Sequence, residues 1–385
     1  MTPVVYYEGD AAIEHWVTAL LGCTPVFRRL PSSNNSNDFA KLPSYIADIL
    51  YLDKPDIIIS GSVDGIHERP IFSIELAACT PQYQHALQRF SRMLASVTNG
   101  CPSILIIPKT KAENQGGART YSRSQAIDYG AVRLMDIFDV PALVIDWPDN
   151  NGQLLYQGGD QLPPLADPGI SQMGAFLRSA LGAFLNVDYI ASLKRLPLTK
   201  LLIDKTRAQG YQGGSVPSIA SPGGGGAARA RLDLLDTNTF IASLLSSGRI
   251  SAAVQQQLPD YFMGRDKSLV FYPTRLVEHS GDPYVGMLTY YDIAFCRTGR
   301  SPRERTYNLI ADCQNLSVQE ITNTMLSFNN HANGCPFVGP LTDTNLLRYS
   351  FHLKNGCSKT KIKPIRIYSE LADLVAFSDG AVVSV

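Results

Sequence analysis

The sequence predicts an α/β fold: a mixed central sheet flanked by helices, followed by a second α+β domain. Three observations predict it. Short apolar runs such as Ile57-Ile58-Ile59, Ser103–Pro108 and Ala142–Trp147 alternate with segments of helical period. Chain breakers gather at 148–168 and again in the Gly/Ser-rich stretch 209–227, which is too low in complexity to pack a core. The charge is also divided: residues 1–190 sum to −6 and residues 191–385 to +6, so the whole is neutral. At 385 residues the chain exceeds a single typical core. The expected organisation is therefore one domain over 1–190 and a second, basic domain over 191–385, containing the 209–227 loop.

Asp10 is a good N-cap and Gly22 a good stop, so residues between them read as a helix with Ile13, Trp16, Val17, Leu20 and Leu21 on one face. Glu14 lies beside that face. Residues 31–39 are a polar loop, and 41–50 read as helical. Ile57–Ile59 begins a strand, Gly61, Asp64 and Gly65 supply turn chemistry, and Ile71, Phe72 and Ile74 rebuild a strand that ends at Glu75. Thr80-Pro81 starts a helix that Asn99-Gly100 closes. Ser103–Pro108 is a buried strand, 112–120 a loop, 123–138 a helix and Ala142–Trp147 a strand. Beyond the breaker-rich 148–168, helices are expected at about 170–186, 234–256 and 317–330. Strands are expected at Val285–Phe295 and Ile362–Ile367.

The chemistry concentrates at Asp56 and Glu75. Each carboxylate borders a β-branched run, where burial is costly without compensation. A hairpin brings them together, and a divalent cation compensates the repulsion. Oxygen ligands of this kind suit Mg²⁺, which keeps several waters and binds through one or two carboxylates plus substrate phosphates. Four arginines, Arg297, Arg300, Arg303 and Arg305, cluster around Gly and Pro, and Lys205 and Arg207 flank the low-complexity stretch. Arginine reads guanine edges and clamps phosphates, so these are candidate DNA contacts.

Pro55-Asp56, a spacer and Glu75 after an apolar strand resemble the PD-(D/E)XK nuclease superfamily, which includes many type II restriction endonucleases. Gln84, His85, Gln88 and Arg89 on the next helix resemble the version seen in some restriction enzymes. The likeness covers roughly the first 150 residues. It implies a restriction-endonuclease-like core, Mg²⁺-dependent sequence-specific cleavage of double-stranded DNA, and Asp56 and Glu75 as catalytic metal ligands, with Glu14 as a third ligand. This sequence departs from the pattern at one place: it reads Glu75-Leu76-Ala77 where the family has Glu-x-Lys. The resemblance then asks for a substitute, with Gln88 to position water, and Arg89 or Lys109 to meet the phosphate. The alternative is a catalytically degenerate nuclease fold that binds DNA or acts as a scaffold.

Other classes lack support in the sequence. The Gly223–Gly226 run has no Gly-Lys-Ser/Thr ending, so no nucleotide cofactor is expected. No apolar run reaches membrane-spanning length and no signal peptide is apparent, so a cytoplasmic protein with reduced thiols is expected. The seven cysteines form no C-x-x-C pair, and His331 with Cys335 is a weak metal pair. A homodimer is expected, since two-fold proteins match palindromic sites.

Overall fold

The computed structural model describes residues 2–31, 41–62, 64, 67–78, 83–113, 119–157, 161–186, 188–212, 231–262, 264–273, 283–301, 304–317, 346–349 and 363–384. The architecture is mixed α/β, and the chain divides into two compact units: residues 1–33 with 53–213, and residues 34–52 with 214–385. The boundary expected near 190 thus lies after 213, and one short early segment belongs with the second unit. Among the described residues no helix is long and apolar enough to cross a membrane.

The first unit opens with β1 (Val4–Tyr7), α1 (Ala12–Leu21) and β2 (Val26–Arg29). The N-cap of α1 is Ala11 rather than the expected Asp10, whose carboxylate accepts from the N–H of Ala12 two residues on, and Gly22 ends the helix at φ 67 as expected. The chain then contributes α2 (Ser44–Leu52) to the second unit and returns at Asp53. Next come β3 (Ile57–Ser62), β4 (Glu68–Leu76), α3 (Tyr83–Gln88), α4 (Phe90–Thr98) and β5 (Ser103–Pro108). Thr80 and Pro81, expected to start this helical stretch, lie outside the described residues. The expected loop at 112–120 is flanked by a hairpin, β6 (Thr110–Glu113) with β7 (Arg119–Ser122). α5 (Gln125–Phe138), β8 (Ala142–Trp147), the short hairpin β9 (Asp149–Asn150) and β10 (Gln153–Leu154), α6 (Pro168–Ala183), α7 (Tyr189–Arg195) and α8 (Pro197–Ala208) complete the unit.

Its six-stranded sheet has the order β2-β1-β3-β4-β5-β8. β3 runs antiparallel to both neighbours, whereas β4, β5 and β8 run parallel. Parallel strands are buried on both faces, which is why Ser103–Pro108 is apolar or small throughout and wholly buried. Helices α7 and α8 pack on α5, α6 and β8. That packing keeps residues 191–208 with the first unit, although their charge groups them with the basic half.

The second unit is a six-stranded mixed sheet, with helices packed on it. Its elements are β11 (Arg231–Asp236), α9 (Thr237–Ser246), α10 (Ala252–Phe262), β12 (Lys267–Tyr272), α11 (Pro283–Tyr291), a π-helical turn (Asp292–Cys296), β13 (Asn308–Cys313), β14 (Leu346–Tyr349), α12 (Lys363–Leu371), β15 (Leu374–Phe377) and β16 (Ala381–Ser384). Phe240, Leu244, Val254 and Phe262 pack on Val270, Ile310, Leu374 and Val383 to form its core. Two expected strands are helices. Val285–Phe295 reads as a strand because its apolar residues show no one-sided stripe. In α11 Val285, Met287, Leu288, Tyr290 and Tyr291 are all buried, as in a helix enclosed on every side. Ile362–Ile367 alternates apolar and polar residues, yet α12 uses Ile365, Tyr368 and Leu371 at helical spacing. The helix expected at 317–330 falls mainly outside the described residues, as do His331, Cys335 and most of 209–227.

Candidate active site

The antiparallel register brings Asp56 and Glu75 together. Ile57 pairs with Ile74, so the residue before the first and the residue after the second meet across the ladder. The N–H of Leu76 donates to Asp56 Oδ2 at 2.7 Å. Side chains alternate along β4: Phe72 points to α6, where its ring meets Phe176 edge-on, so Glu75 points to the opposite face. There α4 presents Arg92.

Arg92 Nη1 donates to Glu75 Oε1 and lies 3.4 Å from Asp56 Oδ1. Its Nε is 3.7 Å from Asp53 Oδ1. Arg89 Nη1 lies 3.1 Å from the same Glu75 oxygen. Asp53 accepts from the hydroxyl of Ser91 and from the N–H of Lys54. Glu75 and Asp53 are fully buried, and among the described residues Glu75 Oε2 has no hydrogen-bond partner. A cleft of about 260 Å³ opens beside Asp56, lined also by Glu8, Asp10, Ile13 and Leu76.

Three carboxylates therefore face two guanidiniums, one positive charge short of neutrality. The imbalance is visible in the titration of Asp56. Burial and then the charge of Glu75 push its pKa up to about 8, against the opposing pull of Arg92 and of the Leu76 N–H. Burial disfavours the charge on Arg92, but Glu75, Asp53 and Asp56 outweigh it and hold the guanidinium above its ordinary pKa. Arg92 stays charged, and Asp56 is the group that takes up the shortfall, as a proton near neutral pH.

The other expected site residues are distributed as follows. Gln88 is half-buried on α3, one helical turn before Arg92. Glu14 accepts from the hydroxyl of Tyr7. Among the described residues no three Asp, Glu, His or Cys side chains are arranged to hold a metal, so Glu14 does not complete a trio with Asp56 and Glu75. Lys109 is exposed just past β5. Lys205 lies 3.5 Å from Asp146 and Arg207 3.4 Å from Asp136, both partly exposed.

The arginine cluster separates. Arg297 and Arg305 turn inward onto the fully buried Asp292, and Arg305 also reaches Asp373 at 3.0 Å. The expectation that these two read DNA is corrected by their burial: a guanidinium held by internal carboxylates has no face for a duplex. Arg300 is exposed, and Arg303 lies outside the described residues.

Sequence reasoning missed Arg92 and Asp53. A signal existed for the first. Arg92 is three residues after Arg89 and four after Gln88, on the same helical stripe. Asp53 precedes Asp56 by three residues, and only the tertiary structure shows that both face Arg92.

Comparison with protein-family models, with curated proteins and with solved structures finds no match.

Proposed function

We propose that this chain is a Mg²⁺-dependent endonuclease that hydrolyses phosphodiester bonds in double-stranded DNA, in the manner of type II restriction enzymes. The observation that carries the reading is the pairing of Asp56, which lines a cleft, with the buried Glu75, in a cluster one positive charge short. The donor set fits the ion: both side chains are hard oxygen ligands, and buried Glu75 Oε2 lacks a partner among the described residues. Asp56 and Glu75 would hold it, with water completing the coordination. When bound, Mg²⁺ supplies Lewis-acid polarisation of the phosphoryl oxygen.

The reaction forms a bond from a water oxygen to phosphorus and breaks one P–O ester bond. One proton leaves the water and one reaches the departing oxygen, so no redox partner is needed. Solvent would take the water proton, because Asp56 would be engaged on the ion. Arg89, partly exposed beside Glu75, is placed to meet the phosphate. Lys109, Lys205 and Arg300 are exposed and would make sequence-independent phosphate contacts, and a homodimer would suit a palindromic site.

The test is incubation of supercoiled plasmid with the full chain, with Mg²⁺ and with a chelator. Nicking or linearisation only with Mg²⁺, abolished in Asp56→Ala and Glu75→Ala, is expected. Cleavage at wild-type rate by either variant refutes the site. One observation favours a second reading, a DNA-binding protein on an inactive nuclease-like core: Arg92 spans both carboxylates. Duplex binding with no cleavage under any divalent cation would select it.

A further inference from the structure

We infer that Arg92 takes the place of the lysine missing at Ala77, as the cation that faces both carboxylates and the reacting phosphate; this rests on the nuclease reading above. The strand position expected to carry a positive charge carries a buried methyl group instead. The required charge arrives from the side, on the helix that packs against β4. Among the described residues Arg92 is the cation that touches both Asp56 and Glu75.

The nearby lysines are engaged elsewhere or exposed. Lys54 Nζ is held by Glu8 at 2.7 Å and by the Pro31 carbonyl at 3.0 Å. Lys111 Nζ donates to the Ala78 carbonyl at 3.0 Å. Lys109 is exposed. Arg89 pairs with Glu75, and its partial exposure suits an outer contact.

Arg92 is also locked in place. Three carboxylates surround it, and its helix is anchored by Phe90, Met93, Leu94 and Val97 in the core. Both of its hydrogen bonds run from Nη1, so the guanidinium reaches the carboxylates through one end of its fork. Among the described residues no hydrogen bond engages Nη2, the side chain keeps 17 % exposure, and a planar fork can bond carboxylate and phosphate together. Hydrolysis places added negative charge on the phosphoryl oxygens in the transition state. A fixed buried cation is most effective there because it needs no reorganisation.

The experiment compares wild type, Arg92→Gln and Arg92→Lys in three measurements: Mg²⁺-dependent plasmid cleavage, Mg²⁺ binding to the DNA-free protein by calorimetry, and thermal melting. Arg92→Gln is expected to cleave on the order of a hundredfold more slowly. It should bind Mg²⁺ at least as tightly as wild type, because a like charge beside the ligands has been removed. Arg92→Lys should recover much of the cleavage. A residue that merely supported the fold would lose Mg²⁺ binding and cleavage together, and lysine would not rescue. That pattern, or wild-type cleavage by Arg92→Gln, overturns the inference while leaving the nuclease reading standing. If Arg92→Gln fails to fold, Arg92→Lys decides: folded and inactive, it overturns the inference. A wild-type chain that cuts no DNA with Mg²⁺ overturns the reading and the inference together.

Discussion

Replacement of Asp292 by alanine tests whether the arginine-rich segment of the second unit is structural. Asp292 is fully buried in the π-helical turn. It accepts from Arg297 Nε at 3.0 Å and Nη2 at 2.7 Å, and from Arg305 Nε at 2.8 Å and Nη2 at 3.4 Å. Burial alone would raise its pKa, but Arg297 and Arg305 outweigh burial and hold the carboxyl below its ordinary range. Removal leaves two buried guanidiniums sharing what remains: the Arg300 carbonyl for Arg297, and Asp373 with the Leu371 carbonyl for Arg305. Breaking a buried pair on one side costs ~3–5 kcal/mol. The remaining partners place the expected loss toward the lower end. Against a total stability of ~5–15 kcal/mol, that is a severe change. Urea denaturation monitored on the second unit should show a lower midpoint at unchanged slope. Asp292→Asn should lose nearly as much, because it keeps the shape and removes the charge. A loss below about 1 kcal/mol, the net worth of one ordinary hydrogen bond, would refute the reasoning.

Two further predictions follow from exposure and titration. Because Asp56 is raised to about 8 when folded, the folded state holds a proton that the unfolded chain releases from about pH 4. Stability from this group therefore falls as pH rises from 4 to 8, by at most ~1.4 kcal/mol per pH unit. Asp56→Asn should flatten that slope in urea titrations at pH 5 and pH 8, and an unchanged slope would reject the raised pKa. Arg300→Ala should weaken duplex binding equally for cognate and scrambled sequences. The slope of log affinity against log salt should become shallower by about 0.9 for each phosphate that is no longer neutralised. An unchanged salt slope would remove Arg300 from the DNA surface.

Much of the first unit was legible because local chemistry there agrees with the fold. The stop at Gly22, the apolar run of β5 and the helix of α5 each follow from short-range preferences that packing did not overrule. The pairing of Asp56 with Glu75 was legible for a similar reason, since a hairpin sets its own register. The second unit was harder to read. α11 is buried on all sides and so shows no helical stripe, and α12 carries a period-2 pattern on a helix. The arginines at 297 and 305 read as surface charge, because composition does not reveal that a carboxylate five and thirteen residues upstream would be buried with them.

By itself the sequence determined the α/β class, most strands and helices of the first unit, and the two carboxylates that a hairpin must bring together. These are decided within a few residues, by period, turn chemistry and caps. The tertiary structure alone decided the rest. It folded residues 34–52 into the second unit and kept α7 and α8 with the first. It brought Arg92 onto Asp53, Asp56 and Glu75, and it buried Arg297 and Arg305 on Asp292. Those arrangements depend on which faces pack and how much water is excluded, and the energy of a charge is set by that burial and by its neighbours in space.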